Sequence, residues 1–282
     1  MESYLKNNKI IKEKIELFHV GTRDNKNINV LKCIDTGVLF LDKNIQTNYE
    51  EHNLNYWKSF DIKEAREKTY EDDCRRKLLV ESLLEEKSKI LDFGCGNGGF
   101  LNLIKKGKKF GIELNNEMLK ILEEENFSVK NDINKFDEKF DLICMFHVLE
   151  HLDQPIEILK DIKSKMEKDS TLIVEVPHAN DVLIKKYDCE KFKDFTFWSE
   201  HLVLYTKETL KKILELAGFK NIEISGEQRY NIFNHLHWLS KGDPGGDKKF
   251  TLQDTNLVQS YDNFLKDNDM TDTLIAKVKI FV

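Results

Sequence analysis

The sequence predicts an α/β fold built on a doubly wound, mostly parallel sheet, and three observations predict it. Between residues 89 and 176, short apolar runs alternate with segments of helical period, the pattern of parallel strands joined by helical crossovers. The first run ends in the glycine-rich turn Asp92-Phe93-Gly94-Cys95-Gly96-Asn97-Gly98, and the second ends in an acidic residue, Glu113. The chain has 282 residues, 40% hydrophobic and 33% charged, which suits one large domain with appendages around a sizeable core.

Residues 1–60 are mixed and irregular and read as an N-terminal cap that helps bind substrate. They hold one strand candidate, Val38–Leu41, after the turn Asp35-Thr36-Gly37. Tyr49, Tyr56, Trp57 and Phe60 follow at irregular spacing. A core domain is expected over 61–226. Its first stretch, 61–87, is charged, with Leu78, Leu79, Leu83 and Leu84 spaced for an amphipathic helix. Strands are expected at Lys89–Phe93, Lys109–Glu113, Ser128–Lys130, Phe140–Phe146 and Thr171–Val176. Helices are expected at Phe100–Lys106, closed by Gly107, and at Glu117–Glu125. Gln154-Pro155 opens a further helix, with proline at its first position and Ile156, Leu159, Ile162 and Met166 along one face. An aromatic loop (Phe192, Phe195, Phe197, Trp198) precedes a helix capped by Thr206 and ended by Gly218. A strand near Phe219–Ser225 closes the core. The extension, 227–282, has a stretch with Gly242, Gly245 and Gly246 and ends in an apolar alternation at Leu274–Val282, which is expected to complete the sheet and a lid.

Composition removes several function classes. A net charge of −6 argues against broad binding to phosphate backbones or anionic membranes. The first twenty residues contain no signal-like apolar region, and no run of about 18 apolar residues occurs to span a bilayer. The five cysteines are odd in number and form no C-x-x-C pair, so reduced thiols in a cytoplasmic chain are expected.

The glycine turn lets backbone approach a ligand without Cβ obstruction, at a helix N-terminus with free N–H groups. Alone, G-x-G-x-G is also what a tight strand–helix turn looks like. Glu113, 21 positions after Asp92, adds a carboxylate suited to the two hydroxyls of a ribose. Asp92 would repel a pyrophosphate but can meet an amino group. A ligand with an ammonium, a sulfonium and no phosphate fits, and S-adenosylmethionine is such a ligand.

On these residues the chain resembles class I S-adenosylmethionine-dependent methyltransferases, over roughly residues 75–226. The resemblance runs on through Asp132, the Phe140–His151 segment and the pattern from His201 to Gly218-Phe219. It implies a seven-stranded Rossmann-like sheet. It also implies that Asp92 with Gly94, Cys95, Gly96 and Gly98 holds the methionine moiety, and that Glu113 binds the ribose. Asp132, Ile133 and Leu114 would flank the adenine, with Phe146 and His147 beside the sulfonium.

His147-Val148-Leu149-Glu150-His151 matches the H-x-x-E-H pattern of inverted zinc peptidases. A peptidase places that motif within a long helix, whereas here it follows an apolar strand, and Pro155 restarts a helix four residues later. No other Asp/Glu/His cluster has metal-ligand spacing, so no metal is expected. Amino-methylating DNA enzymes resemble one another in an Asn/Asp-Pro-Pro-Tyr/Phe run at this strand exit. This chain reads Met145-Phe146-His147-Val148, which together with the charge points to a small-molecule acceptor and away from nucleic acid.

A hydroxyl acceptor needs a general base within hydrogen-bond reach, while an amine needs only desolvation and a proton exit. Histidine suits the first task. His201 is the first candidate base and His178 the second, with His147 orienting cofactor or substrate. The segments 18–24, 36–40, 234–238 and 241–246 resemble parts of methyltransferases of bacterial capsule and lipopolysaccharide synthesis. That second resemblance implies a sugar or nucleotide-sugar acceptor and a homodimer. Trp198, Tyr230, Arg23 and His237 are its candidate contacts, although each type is as commonly a packing or surface residue. The rivals are another small acceptor (an amine, a quinol precursor or a phosphoramidate) and a catalytically silent cofactor-binding partner protein.

Overall fold

A computed structural model describes residues 1–44, 61–250 and 254–280. Tyr49, Tyr56, Trp57 and Phe60 lie outside the described residues. In chain order the elements begin with α1 (Glu2–Asn7), β1 (Ile15–His19), β2 (Val30–Cys33) and β3 (Leu39–Leu41). Helix α2 (Ile62–Val80) leads into β4 (Lys89–Phe93), α3 (Gly99–Leu103), β5 (Lys108–Ile112), α4 (Asn116–Glu124) and β6 (Ser128–Lys130). Then come β7 (Phe140–Phe146), α5 (Pro155–Ser164), β8 (Met166–Pro177), α6 (Val182–Lys185), α7 (Glu190–Thr196) and β9 (Val203–Leu204). Last are α8 (Lys207–Leu216), β10 (Ile222–Glu227), α9 (Ile232–Lys241), α10 (Gly246–Lys249), α11 (Thr255–Asp267) and β11 (Thr273–Lys279).

Seven strands form one sheet in the order β10-β11-β8-β7-β4-β5-β6. The five central and distal strands run parallel, and β11 runs antiparallel between β8 and β10. This is the seven-stranded Rossmann-like sheet that the resemblance implies, with helices on both faces. From Leu142 onward the faces of β7 alternate. Leu142, Cys144 and Phe146 pack with Phe100, Met118 and Leu122 on one side. Ile143 and Met145 pack with Leu159, Ile162, Leu210 and Ile213 on the other. A strand buried on both faces needs the continuous apolar run that made it readable. Because the strands are parallel, their C-terminal ends share one edge, where open α/β sheets bind ligands.

Several boundaries differ from the sequence expectation. Met166 opens β8, where the spacing had placed it on the preceding helix face; the helix stops at Ser164. The region before residue 44 supplies three strands and a short helix where one strand is expected. With β9 they form an antiparallel sheet of order β1-β2-β3-β9. Helix α2 does not turn a leucine stripe inward: Leu78 is 73% exposed, and the buried positions are Ala65, Asp73 and Val80. Its inward face combines Ala65, Leu79 and Val80 with the ionic position Asp73.

Candidate functional site

The glycine turn joins β4 to α3. Gly94 takes φ +83°, and a Cβ there would lie 2.4 Å from Val148 Cγ2, so the exit of β7 packs directly on this turn. Gly96 takes φ +51° with nothing within 4 Å of a Cβ position, so that side of the turn is open. The Gly94 and Cys95 N–H groups donate to the Ile112 carbonyl, locking the turn to β5. The Cys95 side chain points into the core, so only its backbone is available to a ligand.

Asp92 ends β4 at 4% exposure, and its Oδ1 has no hydrogen-bond partner. Burial raises its pKa to about 7, against the pull of Arg76. A buried carboxylate missing a partner is the electrostatic complement of an ammonium. Glu113 accepts from the N–H groups of Gly96, Leu114 and Asn115 at 2.8–2.9 Å. Burial nonetheless leaves its pKa above the ordinary carboxylate range. Asp132 is exposed and caps the turn after β6, accepting from Asn134 N–H, while Ile133 is buried and Leu114 is 43% exposed. The expected cofactor residues therefore line the ends of β4, β5 and β6, with the Asp92 orphan oxygen and the open Gly96 as the features that fit S-adenosylmethionine.

Next to them stands a buried ionic network that sequence reasoning missed. Glu175 on β8 is fully buried and accepts from Arg75 at 2.8 Å and from Arg76 at 2.8 and 3.2 Å. Burial alone would raise its pKa, but hydrogen bonding to His147 and the two arginines hold it well below the usual range. Arg76 lies over the Phe146 ring at 4.8 Å. Arg229 makes a two-pronged contact with Asp72, with Nε to Oδ1 at 3.0 Å, and reaches His147 Nε2 at 3.1 Å. The signal was present: 71–76 is six residues with five charges, and Glu175 interrupts an otherwise apolar strand.

His147 leaves β7 at φ +55°, a strained conformation for a residue with a Cβ. Its Nδ1 is 3.0 Å from Glu150 Oε1 and its Nε2 is 3.2 Å from Glu175 Oε1. Burial lowers its pKa, but the two carboxylates outweigh that and leave it raised. Glu150, fully buried, stays ionised with a pKa of about 2. His201 comes from the loop before β9. The Leu202 N–H donates to the Glu150 carbonyl at 2.8 Å, which fixes this loop against the turn at 149–151. The His151 and His201 rings are 4.8 Å apart, and Trp198 packs edge-on to His201 at 5.3 Å. Burial drops the pKa of His201 to about 3, so it is neutral. The Arg23 guanidinium sits 4.6 Å over Trp198.

The structure thus brings together His147, His201, Trp198, Arg23 and, through Arg229, Tyr230 5.3 Å away. It does not bring in His178, whose Nδ1 meets the Thr271 carbonyl and whose Nε2 faces Asp269 beneath the C-terminal segment. Nor does it bring in His237, which is held by Asp243 and Lys249. Trp238, another aromatic of the extension, is buried among Val182, Leu183, Leu265 and Met270. Glu150, His151 and His201 meet across fifty residues of sequence, with one ligand atom each within 4.8 Å of the others. No metal was expected there, because spacing along the chain does not show such a cluster. No helix among the described residues is long and apolar enough to cross a membrane.

Residues 64–224 match the sequence family described as methyltransferase domain. An uncharacterized protein of Methanocaldococcus jannaschii is 27% identical over 177 residues, 61% of this chain and 82% of that protein. A tRNA U34 carboxymethyltransferase of Campylobacter jejuni is 27% identical over 154 residues, 48% of this chain and 50% of that enzyme. Among solved structures, a Haloferax volcanii methyltransferase in complex with the Trm112 methyltransferase activator shares the fold. The TM-score is 0.53 at 12% identity, covering 84% of this chain and 98% of that one.

Proposed function

The chain belongs to the methyltransferase domain family, and on that premise we propose that it methylates a hydroxyl of a sugar or nucleotide-linked sugar during synthesis of a bacterial surface polysaccharide. The cofactor is S-adenosylmethionine, which supplies an electrophilic methyl on a positively charged sulfur. Asp92 pairs with its ammonium, and Gly96 gives the close backbone approach beside it. Arg76, between Asp92 and Glu175, provides the positive charge for its carboxylate. Glu113 accepts the ribose hydroxyls, and Leu114, Ile133 and Asp132 border the adenine.

One observation carries the acceptor chemistry: the His201 ring meets the buried Glu150 carboxylate at the mouth of β7, with a ligand atom of each within 4.8 Å of the other. As the hydroxyl oxygen attacks the methyl carbon and the carbon–sulfur bond breaks, the hydroxyl proton passes to His201. The nearby Glu150 charge stabilises the imidazolium that forms, in a site that otherwise disfavours it. His147, fixed by Glu150 and Glu175, orients the reactants. Trp198, with Arg23 against its face, offers a stacking platform and a charge for a nucleotide-linked acceptor, and Arg229 with Tyr230 borders the opposite side. The net charge of −6 favours such a small acceptor over RNA.

Two measurements test the reading. Calorimetric titration with S-adenosylhomocysteine should give micromolar binding, about −8 kcal/mol, and Glu113→Ala should weaken it at least tenfold. A folded chain that ignores the ligand removes the cofactor assignment. A panel of nucleotide sugars, phenols, amines and tRNA should then yield methylated product only with the sugars, and kcat should fall in His201→Gln with cofactor affinity retained. Product from a phenol, an amine or tRNA alone would replace the sugar acceptor with that class.

A further inference from the structure

We propose that Glu150, His151 and His201 form a binding site for a borderline-soft divalent cation of the zinc class, lying behind His147 at the acceptor end of the site. The donor set is two imidazoles and one carboxylate, a combination suited to Zn²⁺ or Co²⁺ with one coordination position open. Its three ligand atoms lie within 4.8 Å of one another. Tetrahedral ligands at bond lengths of about 2.0–2.2 Å stand about 3.4 Å apart, so side-chain movements of about an ångström close the cluster on an ion.

Two further observations point to an ion rather than to ordinary packing. Glu150 Oε1 is used by His147 at 3.0 Å, but Oε2 is buried with no hydrogen-bond partner. The carboxylate belongs to a fully buried residue, and an incompletely paired buried charge is costly unless something completes it. The supporting shell is in place as well. His147 holds Glu150, the His151 ring is hydrogen-bonded to the Glu200 backbone, and the Leu202 N–H to Glu150 carbonyl bond fixes the two segments. Arg23 faces His201 from Trp198 and opposes a cation there, so coordination bonds rather than the local field must set the affinity. An ion at this site takes the lone pair that His201 needs as a base, and hydroxyl methylation is inhibited in the loaded chain.

The test titrates the full chain, stripped with a chelator, with Co²⁺ and then Zn²⁺, following heat and the visible absorption that cobalt gains on tetrahedral coordination. One equivalent of Co²⁺, displaced by Zn²⁺, is expected. His201→Asn and His151→Asn should each lower the affinity at least thirtyfold. Glu150→Gln should do the same but also disturbs His147, so the histidine variants are decisive, each checked for folding by circular dichroism. A folded native chain that takes up no ion, or uptake unchanged in both histidine variants, overturns the site; the second result would send the ion elsewhere, with the His237–Asp243 pair the next place to look. Neither titration contains cofactor or acceptor, so the outcome stands apart from that of the methyl-transfer assays.

Discussion

With Asp92 as the proposed partner of the cofactor's ammonium, binding should depend on pH in a defined direction. In the free chain the pKa of Asp92 is raised to about 7 by burial. A carboxylate raised in the folded state contributes its stability below the unfolded value and loses it as pH rises through about 7. An ammonium ligand reverses this, because it binds only the ionised form. Affinity for S-adenosylhomocysteine should therefore rise by up to about tenfold per pH unit below the pKa and level off above it. The thermal stabilisation given by a fixed ligand concentration should be larger at pH 8 than at pH 6. Asp92→Asn should bind more weakly and lose this pH dependence, and calorimetry across that range would show it. An unchanged slope in the variant would move the titrating group elsewhere.

At the scale of elements, α2 is bound to the sheet by charge as well as by the apolar packing of Ile62, Leu79 and Val80. Its Arg75 and Arg76 are neutralised by Glu175 of β8, and its Asp72 by Arg229 after β10. Glu175→Gln leaves two largely buried guanidiniums short of a carboxylate, and breaking one side of a buried pair costs about 3–5 kcal/mol. Asp72, 31% exposed, should cost less on change to Asn because water reaches it. Urea unfolding of both variants gives the comparison, and equal losses would mean that the arginines find other partners. This network also marks where the sequence stopped being legible. Strands β4 and β7 were readable as short apolar runs between turns, β5 and β6 by their place in the alternation with helices, and Asp92, the glycines and Glu113 sit near strand ends by a spacing rule. The reading of α2 failed at Leu78, which points to water while Asp73 points inward; Leu79, Leu83 and Leu84 do pack on the core, the last two beyond the end of the helix. The meeting of His151 with His201 depends on β9 pairing with β3, a contact between residues more than 160 positions apart. The order of local residue types carries no record of such pairing.

For the whole molecule, the N-terminal cap expected as a separate region shares its core with the methyltransferase sheet. Leu39, Phe40 and Val203 belong to the same apolar cluster as Ile143, Met145, Leu172 and Leu210. β3 and β9 are joined through Leu39–Leu204 and Phe40–Val203, so the loop carrying His201 is one wall of the cap. A common core of this kind gives cooperative unfolding. Calorimetry should show one transition, and Phe40→Ala, which empties a fully buried aromatic position (1% exposed), should lower all of it by about 3–5 kcal/mol of stability. Affinity for S-adenosylhomocysteine should hardly change in this variant below its melting temperature, since the proposed cofactor residues sit at the ends of β4 to β6. Methyl transfer should fall, because His201 loses its support. Two transitions, with only the earlier one shifted by Phe40→Ala, would instead make the cap an independent unit and leave His201 to be positioned by the Leu202 N–H to Glu150 bond alone.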